Sequence, residues 1–128
     1  MELATKKFNS LNDEFKQLYI ESFPEDERMD YSILTQMLKD PKNSLVNYYD
    51  EDKFIGFTIN VVYNNFCCLL FFATDSRYRN QGYGKRILDI YFKENQNRIV
   101  FLSCEIPEIY KEEDIKYRRV SFYKRNGF

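Results

Sequence analysis

The run Arg79-Asn80-Gln81-Gly82-Tyr83-Gly84-Lys85 stands between an apolar stretch, Phe66-Cys67-Cys68-Leu69-Leu70-Phe71-Phe72-Ala73, and a segment with helical spacing, Ile87-Leu88-Asp89-Ile90-Tyr91-Phe92. A buried strand, a glycine-bearing turn and a helix start therefore follow one another. Several backbone N–H groups converge at such a junction, with the positive end of the helix dipole behind them. The chemistry this suits is the holding of a phosphate-like anion. Gly82 and Gly84 permit positive φ and let a ligand approach the backbone. Taken alone, the two glycines fit a plain tight turn equally well, and Arg79 fits a solvated surface cation.

The rest of the composition narrows the chemistry. The chain has no histidine, which removes Ser-His and Cys-His nucleophilic schemes and the usual zinc sites. Cys67, Cys68 and Cys104 lie in apolar runs and are odd in number, as expected of buried reduced thiols in the cytoplasm. Adjacent Cys67 and Cys68 point to opposite faces of a strand, which argues against a shared metal site. Nineteen Lys and Arg against 20 Asp and Glu give a net charge of −1, so no basic excess calls for nucleic acid. No apolar run approaches the ~18 residues of a membrane span, and Met1 to Lys7 has no apolar core of a signal peptide. At 128 residues the chain is expected to form one domain, burying roughly two-thirds of its unfolded surface.

Several elements must position the turn. Met1 to Phe8 reads as a short edge strand. Ser10-Leu11-Asn12-Asp13 resembles a capping box, followed at helical spacing by Leu11, Phe15, Leu18, Tyr19 and Ser22. Pro24 breaks that helix. A second is expected to start near Asp30 or Ser32, to carry Ile33, Leu34, Met37 and Leu38, and to stop before Pro41. Leu45 to Tyr49, Lys53 to Tyr63 and Phe66 to Thr74 read as consecutive antiparallel strands with turns at Asp50-Glu51-Asp52 and Asn64-Asn65. The last of them is apolar on both faces and therefore interior. A helix from about Gly84 to Asn95, a strand from Arg98 to Glu105, a charged loop after Pro107 and a helix from about Ile115 to Arg125 follow. The fold class is α/β (mixed α+β), with a central mixed sheet flanked by helices.

With these elements in place, Arg79-x-x-Gly82-x-Gly84 resembles the Arg/Gln-x-x-Gly-x-Gly/Ala motif of the GNAT N-acetyltransferase superfamily, which follows that family's fourth strand. The family's later motif, aromatic-Tyr-x-x-x-Gly-Phe, is matched by Phe122-Tyr123-Lys124-Arg125-Asn126-Gly127-Phe128. Two motifs in the right order cover nearly the whole chain, and residues 1–128 are expected to be a single GNAT-like domain. The resemblance implies acetyl-coenzyme A as cosubstrate and no metal. Backbone groups around Phe72, Ala73 and Thr74 would pair with the pantetheine arm like an added strand. Amides of Gln81, Gly82, Tyr83, Gly84 and Lys85 would hold the diphosphate, with Arg79 and Asn80 beside them.

The activity implied is transfer of an acetyl group to a primary amine of a small molecule or peptide, by direct attack on the thioester. Such a reaction needs deprotonation of the amine, a donor for the tetrahedral oxyanion and protonation of the leaving thiolate. The resemblance assigns the oxyanion donor to a fourth-strand amide, that of Phe72 or Ala73. It assigns the thiolate's proton to Tyr123, a phenol that with pKa about 10 is protonated at neutral pH. Glu105, at the end of the fifth strand, could be the general base. Glu25, Glu27 or a chain of waters could also take that role.

The match has departures. Lys116 and Arg119 stand where the family often has Asn and Ala, and the chain ends at Phe128, where the family continues with a β-hairpin. The final two strands are thus expected to be absent. The 98–105 strand would then expose an apolar edge that pairs with a second copy as a homodimer or by strand exchange. The alternative function is a truncated or non-catalytic module that binds acyl-coenzyme A or a partner chain without efficient turnover. A P-loop hydrolase is disfavoured, because no Gly-Lys-Ser/Thr follows the glycines.

Overall fold

A computed structural model describes residues 3–102 of the 128-residue chain. Glu105, Tyr123, Cys104, Lys116, Arg119, the final helix, the 122–128 motif and the end of the 98–105 strand lie outside the described residues. The elements run β1 (Ala4–Phe8), α1 (Asp13–Ser22), α2 (Tyr31–Leu38), β2 (Ser44–Asp50), β3 (Lys53–Tyr63), β4 (Phe66–Thr74), α3 (Tyr83–Glu94) and β5 (Ile99–Leu102). Short 3-10 turns occupy Glu25–Glu27 and Ser76–Tyr78.

The five strands form one sheet in sequence order, β1-β2-β3-β4-β5. The first three pairings are antiparallel, and β4 pairs with β5 in parallel across the α3 crossover. This is the mixed sheet expected from the alternation of apolar runs and turn signals. β4 lies between β3 and β5 as its two-sided apolar pattern requires.

Each face of the sheet carries its own core. On one side Phe15, Leu18, Tyr19 and Phe23 from α1 and the residue after it join Leu34 and Leu38 from α2 over Phe57, Ile59 and Phe71. The rings interlock: Phe15 meets Phe57 edge-on at 4.6 Å, and Phe71 meets both Tyr19 and Phe23 edge-on. On the other side Ile87, Leu88 and Tyr91 of α3 pack on Ile55, Cys67, Leu69 and Phe72. Cys67 is buried in this second core and Cys68 is half-buried, in keeping with the opposite directions expected of neighbours on a strand.

A polar network holds the C-terminal end of α3 to the sheet. The Tyr91 hydroxyl donates to Asn60 Oδ1 at 2.6 Å, and Asn60 Nδ2 donates to Asn95 Oδ1 at 3.2 Å. Arg98 Nη1 also donates to Asn95 Oδ1, at 2.9 Å. Buried polar groups that satisfy one another in this way fix orientation, so α3 is aimed from its far end.

Three local expectations are corrected. The cap of α1 is Asn12 rather than Ser10: Asn12 Oδ1 accepts the Phe15 N–H at 2.8 Å and a bond from Asn47 Nδ2 at 3.0 Å. The tertiary bond to β2 selects the asparagine, and Leu11 falls before the helix, packed at the core's edge. Ile33, grouped by spacing with Leu34, Met37 and Leu38 on the second helix, does not share their burial and is 46% exposed, because α2 buries only Leu34 and Leu38. Gly84 lies inside α3, which begins one residue earlier than expected.

The register places Tyr63, Phe66, Ile99 and Phe101 on the sheet face opposite α3. Ile99 and Phe101 are 55% and 54% exposed, and the Phe66 and Phe101 rings lie 5.7 Å apart. Among the described residues these side chains form an exposed apolar strip at this end of the sheet.

Candidate functional site

The site begins where β4 runs out. The Asp75 N–H donates to the carbonyl of Ile55 at 2.8 Å, so the chain leaving β4 is still tied to β3. Asp75 Oδ1 accepts the Arg77 N–H at 2.9 Å, capping the Ser76–Tyr78 turn, and Oδ2 accepts Arg77 Nη2 at 2.8 Å. The Arg77 guanidinium holds the largely buried Asp75 carboxyl below the usual carboxylate range. A lowered folded pKa stabilises the fold above the unfolded value, near 3.8, and the contribution is lost as pH falls through the depressed one. Acid titration followed by thermal melts should thus show wild type losing more stability than Asp75→Asn below about pH 4. Parallel curves would remove this linkage.

After Tyr78 the chain turns through two left-handed residues, Asn80 at φ 65° and Gly82 at φ 80°. Asn80 fills the second left-handed position that the sequence had suggested for Gly84; asparagine is among the side chains that tolerate it best. Gly82 is the residue that precedes α3, and no side chain caps the helix. The Arg86 N–H is the first to bond back into the helix, to the Gly82 carbonyl at 3.2 Å. The amides of Tyr83, Gly84 and Lys85 thus stand in the first turn, where a helix offers them no internal acceptor. By contrast, α1 closes its first turn with Asn12.

The structure brings Phe72, Ala73, Thr74, Arg79, Asn80, Gln81, Gly82, Tyr83, Gly84 and Lys85 into one continuous β4–turn–α3 segment. Phe72 and Ala73 are buried and Thr74 is half-buried, whereas Arg79 to Gly82 and Lys85 are exposed. The Lys85 ammonium reaches Asp89 at 3.2 Å along the helix, so its backbone rather than its charge faces the turn. The Tyr83 hydroxyl donates to Asp50 Oδ2, a partner 33 residues away that the sequence alone did not reveal.

Two features of β4 shape the ground beside the turn. Its register against β3 slips between Ile59 and Asn60, which leaves Leu70 as an extra residue in β4. Among the described residues it pairs with β5 from Phe66 to Leu69. On the α1 side, a groove of about 610 Å³ passes between Glu14 and Glu21 of α1, the turn residue Asp52 and the first residue of β3, Lys53, and Arg77. Glu25 is exposed and Glu27 half-buried in the α1–α2 connection. Among the described residues no group of His, Cys, Asp and Glu could hold a metal ion. An uncapped helix start, entered through a left-handed glycine at the end of a turn that follows an interior strand, can bind an anion through backbone amides alone.

Comparison with known proteins bears on this geometry. The family model described as the acetyltransferase (GNAT) family matches residues 8–128. A GNAT-family acetyltransferase structure from Bacteroides thetaiotaomicron is 31% identical, with a TM-score of 0.71 over 88% of this chain and 62% of that one. This chain therefore spans somewhat less than two thirds of that relative's length. A Bacillus subtilis acetyltransferase solved in complex with CoA shares 14% identity and a TM-score of 0.72, covering 98% of this chain and 76% of that one. An aminoglycoside acetyltransferase from an uncultured soil metagenome, in complex with sisomicin, shares 14% identity and a TM-score of 0.67, covering 98% and 88%. At that identity the last two show likeness of fold. No curated protein sequence matches this chain.

Proposed function

The chain belongs to the GNAT acetyltransferase family, and from that premise we propose that it transfers an acetyl group from acetyl-coenzyme A to a primary amine of a small molecule or peptide, residues 1–128 acting as one domain. The observation that carries this reading is the α3 start: left-handed Gly82, no side-chain cap, and first-turn amides at the end of the turn that follows β4. In the proposal the amides of Gln81 to Lys85 hold the diphosphate, with Arg79 and Asn80 flanking it. The backbone of Phe72 to Thr74 receives the pantetheine arm. The segment fits such a ligand because it offers donors where the diphosphate is charged and an apolar, bulged strand where the arm is not. Bound acetyl-coenzyme A would supply the activated acyl group.

Tyr123 is assigned as proton donor to the leaving sulfur from its place in the 122–128 motif, within the matched residues 8–128, and Glu105 as general base from its expected place at the end of the fifth strand. A reducing, cytoplasmic setting accords with the free thiols of Cys67 and Cys68. We also assign a second copy of the chain to the strip formed by Phe66, Ile99 and Phe101, because exposed apolar side chains beside a sheet edge favour association. Light scattering at high concentration should then read a dimer, and a stable monomer rejects it.

The test of activity is calorimetric titration of the full 128-residue chain with acetyl-coenzyme A, joined to a thiol-release assay over a panel of amines. Binding with amine-dependent thiol release is the expected result. Binding without release favours a non-catalytic module, and no binding overturns the reading.

A further inference from the structure

The turn that leads into α3 is exposed over Arg79 to Gly82 and contains two left-handed residues, yet it must keep its amides aligned. The chain before it is tied through Asp75, both to the Ile55 carbonyl and to Arg77. The chain after it is tied through the side chain of Tyr83, the first residue of α3. The ring of Tyr83 meets the Tyr78 ring edge-on at 6.3 Å, and the Arg86 guanidinium lies over it at 5.4 Å. Its hydroxyl donates to Asp50 Oδ2, at the last position of β2, where a tight turn leads into β3. We propose that Asp50 is a positioning residue for coenzyme binding: by accepting the Tyr83 hydroxyl it anchors the start of α3 to the β2–β3 hairpin and holds the turn's amides in their binding geometry.

This inference rests on the coenzyme-binding reading above. The sign of the charge is what makes it more than a surface contact. A carboxylate near a diphosphate site repels the ligand, so an Asp50 acting through its field alone would weaken binding. Hydrogen bonding to the carboxylate keeps the Tyr83 phenol protonated, its pKa raised above the ordinary value chiefly by that bond. Tyr83 is therefore a fixed donor across neutral pH. Because Asp50 and the turn lie on different elements, the bond fixes the start of α3 relative to the sheet, while the Asn60–Tyr91–Asn95 network fixes its other end.

Four variants of the full chain separate position from charge: Asp50→Ala, Asp50→Asn, Tyr83→Phe, and Asp50→Ala with Tyr83→Phe. Coenzyme A affinity is measured by calorimetry and Tm by scanning. Asp50→Ala and Tyr83→Phe should each raise Kd about fivefold, the scale of the net loss of one hydrogen bond. The double variant should be no worse than either single one, because both remove the same contact. Asp50→Asn, which retains an acceptor, should lie near wild type. Tyr83→Phe keeps the ring contacts, so it reports on the bond even if Asp50→Ala lowers Tm. If both Asp50 variants tighten binding, the carboxylate acts by charge and the inference fails. If wild type binds and Tyr83→Phe and Asp50→Ala bind within twofold of it, the inference fails while the coenzyme reading stands. If wild type itself does not bind coenzyme A, both fall.

Discussion

Replacing Gly82 with valine should raise the dissociation constant for acetyl-coenzyme A about thirtyfold while leaving the fold nearly as stable as before. Gly82 sits at φ 80° and ψ 5°, a conformation that a Cβ makes costly by about 1–2 kcal/mol and a β-branched side chain by more. An added Cβ there would meet nothing within 4 Å, so the substitution brings no collision with the core. The chain can escape the strain by turning to negative φ, which redirects the amides at the start of α3. Binding then requires a return to the strained form, and about 2 kcal/mol of such reorganisation corresponds to roughly a thirtyfold loss. Gly82→Asn is the control, because asparagine tolerates the left-handed region and should bind within a few-fold of wild type. Titration calorimetry on both variants checks the result. A Gly82→Val protein that bound the coenzyme as tightly as wild type would mean that these amides do not hold it.

The contrast between Gly82 and Gly84 shows where sequence reading stops. Both glycines suggested freedom of φ, but one is left-handed and the other helical, and Asn80 supplies the second left-handed residue. Periodicity locates a helix start to within a residue or so and cannot say which neighbour takes the turn. Strands β3 and β4 were legible to the residue because the turn at Asn64-Asn65 falls between two long runs of β-forming side chains. The cap of α1 was misplaced because the choice of Asn12 over Ser10 depends on Asn47, 35 residues away. The Asp50–Tyr83 pair was invisible for the same reason. Local chemistry is printed in local sequence, whereas long-range polar bonds appear only once the sheet has set its order.

Gly56→Ala should cost about 3 kcal/mol of stability and lower Tm by roughly 10 °C, a large effect for the addition of a single methyl group. Gly56 lies in β3, opposite Tyr48 on one side and Thr74 on the other. A Cβ built there stands 2.5 Å from the carbonyl oxygen of Ala73, 3.0 Å from Ile87 Cδ1 and 3.3 Å from Thr74 Cα. The isoleucine can rotate away, but a backbone oxygen moves only if β4 itself moves. That part of β4 is the stretch leading into Asp75 and the turn before α3, so relief of the clash shifts the binding segment against its anchor at Ile55. Stability and coenzyme affinity should therefore fall together, unlike the Gly82 case, where affinity falls alone. Adding Ile87→Val to Gly56→Ala should recover only a minor part of the lost Tm, because the closer contact is with backbone. If Gly56→Ala melted within about 2 °C of wild type, the end of β4 would have to be free to move, and the close approach of β3 to β4 could not be what holds the turn in place.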